Sequence, residues 1–504
     1  MQEKLNVLMN AFGMPVRKRI IEETLRRFRV GTCISVLPSC DDLPDLHADQ
    51  FICHREQDAH DNIDWTGFRP IDEELIEGMR HCEMVFIDMM GRQEWNGRTL
   101  TYTDRKRTYL QMLRYWNHML EEHRINLFLS MALPHRIRTY LLYDLCRYKG
   151  IPTLFFFHAA AIEGECFLLE NWEESSPELK ATFARLRETY GSTNDPVPLS
   201  PPYEAFYTEQ VQKGENAPPP WHVLVEDEGP KVRRRQWWQM FHRTLREDLP
   251  RFSKLGVAFF ANRMRLEYWK FFFTDRSRKS AARTMFRFYD MHTTEPELTR
   301  PFVYVPLHLQ PEASTLPLGG AYSDQLLIVQ MLAALLPKDV LLYVKENPGQ
   351  QKYAPDGMGR DMAFYKDLLA IPRVRLVPRT YSSYRLIAHA VAAATVTGSA
   401  AFESIVRGKP ALVFGHFAYQ YAPGVFPVHS SDDCKKALHA IFERKEKPNL
   451  RDVRIYLKAL QDVSLSGYYD ERRTRIESEE ADRIVRDFSA ALIRKIREKF
   501  PALS

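Results

Sequence analysis

The sequence lacks the long apolar run that a membrane-spanning protein needs. No stretch of 18 apolar residues occurs in its 504 residues, so no membrane span is expected. The N-terminus has no long apolar region followed by a small-residue cleavage site, which argues against a secretory signal. Repeats of solenoid length are also absent. These absences favour a cytoplasmic, globular protein.

Cysteine is sparse and shows no pattern. The seven cysteines are scattered, odd in number and include no CxxC pair. Zinc sites and disulfide frameworks both need closely spaced or regularly paired cysteines. We therefore expect reduced cysteines and no metal site.

The charge balance excludes little. The net charge of +5 is small for this length and does not by itself indicate a nucleic-acid partner. A hydrophobic content of 45% and a charged content of 27% are typical of globular proteins. Because 504 residues exceed one ordinary core, two or three domains are expected.

The first third of the chain alternates short apolar runs with helical patterns. The helical patterns cover residues 17–28 and 138–150. Such alternation predicts a parallel sheet covered on both faces. The predicted strands are LNVLM (5–9), TCISV (32–36), EMVFIDM (83–89), NLFLSM (126–131) and PTLFFF (152–157).

The alternation stops after about residue 170 and resumes at Phe302. Residues 176–191 have helical spacing, whereas SPPYEAF (200–206) and NAPPPWH (216–222) have loop composition. Beyond Phe302 a second doubly wound unit is predicted, with a final helix over 477–500. Its predicted strands are FVYVPL (302–307), VLLYVKE (340–346), VRLVP (374–378), AAATVTG (392–398) and ALVFG (411–415).

The predicted fold class is therefore α/β, with two doubly wound units. The expected divisions are an N-terminal domain over 1–170, a mostly helical insertion over 171–298, a C-terminal domain over 299–475 and a terminal helix over 476–504. Ligands of such sheets bind outside the carboxyl ends of the strands.

Polar loops follow three of the C-terminal strands: PLHLQPEASTLPLGG (306–320), the end of YVKENPGQ (343–350) and TGSA (397–400). Small residues at a helix start let a phosphate approach backbone N–H groups. Lys345 and Asn347 have the chemistry to contact phosphate, and Glu403 to accept hydrogen bonds from ribose hydroxyls. The alternative for the turn at TGSA is a plain tight turn in which Glu403 is a capping acid. The alternative for Lys345 and Asn347 is a solvated strand end.

In order and spacing, LHLQPEASTLPLGG, YVKENPGQ, IPRVRLVP and TVTGSAAFESIVRGKPALVFG resemble the C-terminal half of bacterial capsular-polysaccharide biosynthesis proteins. These are GT-B glycosyltransferases related to the capsule Kdo transferases. The resemblance covers 301–428 well and the N-terminal half weakly, through LSMALPHRIRTYLLYDL (129–145). It implies a metal-independent glycosyltransferase without a cofactor, which moves a sugar from a nucleotide-sugar donor to a surface polysaccharide or lipid-linked glycan. The resemblance also implies two Rossmann-like domains facing a cleft. The implied donor-binding residues are His308, Gln310, Glu312, Lys345, Asn347, Gly398, Ser399 and Glu403. To these we add Ser314 and Thr315, whose hydroxyls are available to orient sugar or phosphate.

Two positions depart from that family. Asn347-Pro348 replaces His-Pro, and Asn carries no charge. Pro134-His135-Arg136 replaces Pro-His-Glu. These departures weigh against CMP-Kdo as the donor and leave open a non-catalytic scaffold of the same pathway. A nucleotide-sugar 2-epimerase, which shares the Gly-Ser, Glu and GKP arrangement, is a further alternative.

Glycosyl transfer needs a group that accepts the acceptor's proton, or a nucleophile. His135 and Asp88, both placed at the ends of predicted strands, are the expected catalytic residues. Glu163, Glu165 and His158 are further candidates, although a lone His is more often a structural hydrogen-bonder.

The region from Lys231 to Arg283 is basic and aromatic, with 15 Lys or Arg against 4 Asp or Glu. An anionic membrane surface would suit Trp237, Trp238, Trp269 and the aromatic run 271–273. A helical insertion with a solvated basic face is the plainer alternative. A nucleic-acid partner is the least favoured of the three.

Overall fold

The chain forms two α/β units, each built on one sheet. The structure is a computed structural model that describes residues 4–503 apart from 56–62, 92–99, 160–161, 163, 175, 217–265, 354–358 and 468–477. The first sheet has the order β13-β6-β5-β4-β1-β2-β3; β1 to β5 are parallel, and β6 and β13 are antiparallel to their neighbours. Its strands are β1 (Leu5–Asn10), β2 (Val30–Leu37), β3 (Ala48–Arg55), β4 (Leu127–Ser130), β5 (Thr153–His158), β6 (Glu165–Leu169) and β13 (Leu465–Ser466).

The second sheet is parallel throughout, with the order β12-β11-β10-β7-β8-β9. Counted along the chain, the strands of the second sheet run 3-2-1-4-5-6, which is the Rossmann order, and the first sheet repeats this order with β13 added as a seventh strand beyond β6. The predicted α/β class with two Rossmann-like units is confirmed. The strands are β7 (Phe302–Pro306), β8 (Leu341–Lys345), β9 (Val374–Val377), β10 (Ala392–Thr395), β11 (Ala411–Val413) and β12 (Val425–Pro427).

Sixteen α-helices lie in the described ranges. Those of the first half are α1 (Pro15–Leu25), α2 (Glu73–Gly78), α3 (Arg80–Met90), α4 (Tyr102–Glu122), α5 (Ile137–Tyr148), α6 (Pro177–Tyr190), α7 (Pro201–Lys213) and α8 (Leu266–Met291). Those of the second half are α9 (Leu326–Leu335), α10 (Gln350–Tyr353), α11 (Met362–Ala370), α12 (Ser383–His389), α13 (Ala400–Ile405), α14 (Ser431–Leu438), α15 (Leu450–Val463) and α16 (Ser478–Lys499).

Two local predictions are wrong. The run EMVFIDM (83–89) is part of helix α3, not a strand, because Cys82, Val85, Phe86 and Met89 repeat at three- and four-residue intervals and bury one helix face. Residues 200–206 begin helix α7, since a proline pair is tolerated in the first turn of a helix. The other strands and helices named above are confirmed, and NAPPPWH lies almost wholly outside the described residues.

The cysteine prediction is also corrected. Cys40 and Cys53 form a disulfide with a Cα–Cα distance of 6.0 Å. The pair is hidden in the sequence because Cys40 lies in the turn after β2, while Cys53 lies in the neighbouring strand β3. The other five cysteines are free and buried.

The two units share one hydrophobic core and exchange elements. Phe157 at the end of β5 packs against Phe417 of the second unit, with ring centroids 4.9 Å apart. Conversely, two elements from the C-terminal end of the chain belong to the first unit: β13 joins the first sheet, and α16 packs against α1. The chain thus returns to the first unit before residue 475, the expected end of the C-terminal domain.

Helix α8 carries the described part of the basic aromatic region. Residues 231–265, including Trp237 and Trp238, lie outside the described residues. Within the described ranges, no helix is both long enough and apolar enough to cross a membrane.

Candidate functional site

The second sheet reverses its strand order between β7 and β10. The chain adds β8 and β9 on one side of β7, then crosses to place β10, β11 and β12 on the other. Open α/β sheets bind ligands in the crevice at this point. The long loop 306–320 and the turn 396–399 both leave the sheet here. The candidate site is therefore the edge where the sequence placed its polar loops.

His308 bridges this crevice. Its Nε2 lies 2.9 Å from Thr395 Oγ1 and accepts the main-chain N–H of Thr397 at 3.3 Å. Nε2 therefore carries no proton, and Nδ1–H donates to Ser314 Oγ at 3.3 Å. The Ser314 hydroxyl in turn donates to Glu312 Oε2 at 2.7 Å. A single chain of hydrogen bonds thus joins the loops after β7 and β10.

Burial sets the charge of His308. Burial, together with the nearby Arg360 guanidinium, lowers the pKa of the imidazole to about 4. The ring is therefore neutral at pH 7 and cannot act as a counter-charge to phosphate. The neutral ring instead connects the loops after β7 and β10 by hydrogen bonds.

Gln310 joins the loop after β7 to the loop after β8. Its main-chain N–H donates to Gln350 Oε1 at 2.8 Å, and Gln350 Nε2 donates back to Gln310 O at 2.7 Å. Its side-chain Nε2 donates to Ser323 O at 2.6 Å. The expected convergence of the three polar loops is confirmed by these contacts.

Arg360 and Glu346 form a buried ion pair that the sequence analysis missed. Arg360 Nε lies 2.9 Å from Glu346 Oε2, and both side chains are almost fully shielded from solvent. Arg360 Nη2 also donates to His308 O at 2.9 Å, and Nη1 donates to the Gln310 side chain. Glu346 accepts a second bond from Tyr365 Oη at 2.6 Å. Glu346 was visible within YVKENPGQ, but Arg360 had no local signal.

Asn347 and Thr315 shape their own loops. Asn347 Oδ1 accepts the main-chain N–H of Gly349 at 2.8 Å, which forms a turn after β8. Thr315 is buried and donates to Glu312 O at 3.0 Å. Both predicted donor-binding residues lie at the expected edge, each with a partner inside its own loop.

Lys345 and Glu403 are two buried ionisable side chains that lie near each other. Lys345 ends β8, and its Nζ donates to Tyr381 O at 2.6 Å and Ser383 Oγ at 2.7 Å. Burial, partly offset by the Glu403 carboxylate, lowers the pKa of Lys345 to about 8. Burial raises the pKa of Glu403, opposed by the hydrogen bond from Ser399 Oγ at 2.7 Å.

The turn at Gly398 permits only glycine. An added Cβ would lie 2.7 Å from Thr395 Oγ1 and 3.1 Å from His308 Nε2. The Gly398 N–H donates to Thr395 Oγ1 at 3.2 Å, so this amide is already engaged. Helix α13, which follows, has only six residues and a correspondingly small dipole. Because Gly398 has no Cβ, the backbone at this turn can pack closely against Thr395 and His308.

The two expected catalytic residues lie in different places. Asp88, on helix α3, faces a cavity of about 610 Å³ together with Gln310 and Arg360. Burial raises the pKa of Asp88, opposed by Arg105. His135 follows β4, with its Nδ1 2.8 Å from Leu133 O, and does not line that cavity.

The cavity is acidic. Among the described residues, four aspartates line it, and the one described arginine of the lining, Arg360, is paired with Glu346. Such a lining disfavours an anionic phosphate and suits sugar hydroxyls. The acidic residues are Asp88, Asp324, Asp361 and Asp367.

The further candidates do not join this site. Glu165 is buried and accepts hydrogen bonds from Ser464 at 2.5 Å and Ser466 at 2.6 Å, which ties β6 to the chain around β13. His158 ends β5, with Nδ1 3.9 Å from Cys166 Sγ. Glu163 lies outside the described residues. Across the described ranges, no group of three or more His, Cys, Asp or Glu side chains is arranged to hold a metal ion.

Comparison with known proteins yields only distant structural similarity. No protein-family model and no curated protein matches the sequence. Thermosulfurimonas dismutans KpsC, as a β-Kdo 2,7 transferase, is 16% identical over 44% of this chain and 64% of its own, with a TM-score of 0.24. This chain thus spans slightly less than two thirds of that one.

Two further structures extend the comparison. The β-Kdo 2,4 transferase structure of the same KpsC is 11% identical over 66% of this chain and 79% of its own, with a TM-score of 0.28. UDP-GlcNAc 2-epimerase from Methanocaldococcus jannaschii is 10% identical over 91% of this chain and 100% of its own, with a TM-score of 0.25. Similarity at this level carries no argument about ligand or reaction, so the assignment of fold rests on the strand order of the two sheets.

Proposed function

We propose that the protein is a GT-B glycosyltransferase that moves a sugar from a nucleotide-sugar donor to a capsular-type polysaccharide or lipid-linked glycan. The main support for this proposal is that three polar loops meet, and are joined by hydrogen bonds, at the switch point of the second sheet. Those loops contain the ordered motifs that resemble the capsule enzymes. His308, Gln310 and Arg360 hold them together before any ligand binds, as a preorganised site requires.

The donor side of the proposed site is the edge formed by Ser399, Glu403 and Lys345. Glu403 offers a carboxylate to ribose hydroxyls, and Lys345 offers a cation close to the same edge. Gln310, Glu312 and Ser314 form the adjoining wall. The nucleotide phosphates are expected at this edge rather than in the acidic cavity, where four aspartates would repel them.

The acidic cavity is the proposed place of the acceptor. Asp88 faces it, and its raised pKa makes it a better proton acceptor than an ordinary carboxylate. In the proposed reaction, Asp88 takes the proton from an acceptor hydroxyl. The hydroxyl oxygen then bonds to the sugar's anomeric carbon as the bond from that carbon to the nucleotide's phosphate oxygen breaks. His135 remains an alternative base on the loop after β4.

One observation favours a second candidate, a non-catalytic scaffold with the same fold. The side chains of His308, Gln310, Lys345, Asn347 and Ser399 already have partners within the protein. A ligand would have to add to these bonds or replace them. A 2-epimerase-like enzyme would use the same donor edge without an acceptor.

The first experiment is thermal unfolding with CMP, UDP, GDP and their sugar conjugates. A ligand at about 100 times its Kd stabilises the folded state by about 2.7 kcal/mol, so one nucleotide should raise the unfolding midpoint. Glu403→Gln should reduce that shift, while exposed Glu443→Gln should not. No shift with any nucleotide would reject the transferase and favour the scaffold.

A product assay then separates the enzymes. A transferase forms product only with an acceptor, and an epimerase forms it from the donor alone. Asp88→Asn should abolish transfer and leave the nucleotide-dependent shift intact, because Asp88 lies in the cavity rather than at the donor edge. Full transfer by Asp88→Asn would exclude Asp88 as the base and direct attention to His135.

A further inference from the structure

Helix α8 has one face built into the protein and one face exposed. Ala282, Met285, Phe286 and Tyr289 are buried in the core of the second unit. Tyr289 Oη also donates to Val377 O at 2.5 Å, which fixes the helix to the end of β9. The helix is therefore held in one orientation, and its outer face is a defined surface.

That outer face carries a row of arginines between two apolar side chains. Arg276, Arg283 and Arg287 are exposed and make no ion pair with any residue that the structure describes. Phe273 and Met291, which are 61% and 74% exposed, lie at the two ends of the row. Successive spacings of three, seven, four and four residues put all five residues, which we call the α8 stripe, on one side of the helix. The stripe extends about 27 Å at 1.5 Å per residue.

The charge of this part of the helix is of one sign. Five Lys or Arg and no Asp or Glu occur from Arg276 to Tyr289. Two acids bound this run: Asp275 directly before it, and Asp290, which is paired with Arg379 at 2.7 Å. A partner that covers the α8 stripe must therefore supply negative charge and also accept two apolar side chains.

We propose that the α8 stripe binds the surface of an anionic lipid bilayer. Lipid phosphates pair with the arginines, while Phe273 and Met291 enter the boundary between headgroups and acyl chains. A single-stranded nucleic acid instead needs aromatic faces open between the cations. In the described part of the helix, Phe288 packs against His292 at 4.1 Å and Phe286 lies under Arg379 at 5.3 Å, so neither ring is available. The inference does not depend on the donor site.

The test is co-sedimentation of the full chain with phosphatidylcholine vesicles, with and without about 30 mol % phosphatidylglycerol. Binding is expected only to the anionic vesicles, and it should weaken as salt rises from about 0.05 M to about 0.5 M. Since each surface arginine contributes about fivefold, Arg276→Ala, Arg283→Ala and Arg287→Ala together should reduce vesicle partitioning on the order of 100-fold. Met291→Ser should reduce it by about threefold to tenfold.

The matched control removes Arg486, Arg494 and Arg497 from helix α16, which makes the same change in net charge on another long helix. This control should bind vesicles like the unmodified chain. The proposal is overturned if both triple variants lose binding equally, if neutral vesicles bind as well as anionic ones, or if the α8 variant binds normally. It is also overturned if the arginines support binding of a single-stranded oligonucleotide but not of vesicles. An unchanged unfolding midpoint shows that each variant remains folded.

Discussion

The first six strands of the two sheets run in the same order and reverse at the same point, but different side chains line the crevice at that point. In the second unit, both ring nitrogens of His308 have partners: Ser314 in its own loop and Thr395 across the crevice. In the first unit, Asn10 at the end of β1 donates to Ser130 Oγ at the end of β4, at 2.9 Å. Asn10 Oδ1, and the Ser35 hydroxyl in the neighbouring strand β2, are buried without a hydrogen-bond partner among the described residues.

This difference separates what topology decides from what side chains decide. Strand order puts a crevice between the first and fourth strands of each sheet. Side chains decide whether its polar atoms are satisfied. A connected buried network loses much stability when one member is removed, whereas an unpartnered polar atom contributes none by hydrogen bonding. Substitutions at the two crevices should therefore have unequal effects.

The largest effect is expected at the ion pair of the second unit. Arg360→Met leaves Glu346 buried without a counter-charge, which should reduce the free energy of unfolding by about 3–5 kcal/mol. Urea unfolding followed by circular dichroism measures this loss. Arg26→Met, which breaks an exposed pair with Glu23, is the control and should cost less than about 1 kcal/mol. A comparably small loss for Arg360→Met would mean that the network does not stabilise the crevice.

The second effect is a dependence on pH. Burial lowers the pKa of His308 to about 4, whereas an unfolded histidine titrates near 6.5. Between these values the unfolded chain binds a proton that the folded chain does not, so stability falls as pH decreases from about 6.5 to about 4. The loss should be about 3 kcal/mol at 1.36 kcal/mol per pKa unit.

His308→Gln should remove this part of the pH dependence, and exposed His47→Gln should leave it unchanged. The measurement is the urea midpoint at pH 7 and at about pH 4.5. An identical acid-induced loss in the unmodified chain and in His308→Gln would show that His308 is not its source.

The smallest effects compare one buried hydroxyl from each unit. Thr395→Val removes a partner of His308 Nε2 and of the Gly398 N–H, and should cost about 1–2 kcal/mol. Ser35→Ala removes a hydroxyl that has no partner in the described ranges, and should be neutral or stabilise by up to about 1 kcal/mol. Thermal unfolding of both variants tests this inequality. Equal losses would abolish the contrast between the two crevices.

Local sequence was sufficient for most elements of the two sheets. Runs such as FVYVPL and PTLFFF are short, apolar and bounded by loop residues, so they were recognisable as strands. The run at 83–89 failed because a short apolar stretch has the same appearance in a buried strand and in a buried helix. Strand β13, with two residues, was too short to show any periodicity.

The residues of the candidate site were likewise predictable only where the signal was local. The three polar loops were predicted to converge because each follows a strand of one parallel sheet. Arg360 was not found because its partners Glu346, His308 and Gln310 lie 14 to 52 residues away. The pairing of Cys40 with Cys53 was missed for a related reason, since it depends on strand β3 lying beside β2.

The sequence by itself determined the α/β class, the two repeats of alternating strands and helices, and the edge at which polar loops collect. These features follow from local periodicity and from the polarity of a parallel sheet. Only the tertiary structure decided that His308 is neutral, that Arg360 holds three loop segments together, and that Asp88 faces a cavity while His135 does not. Those properties depend on burial and on contacts between distant residues, which the order of residues does not display.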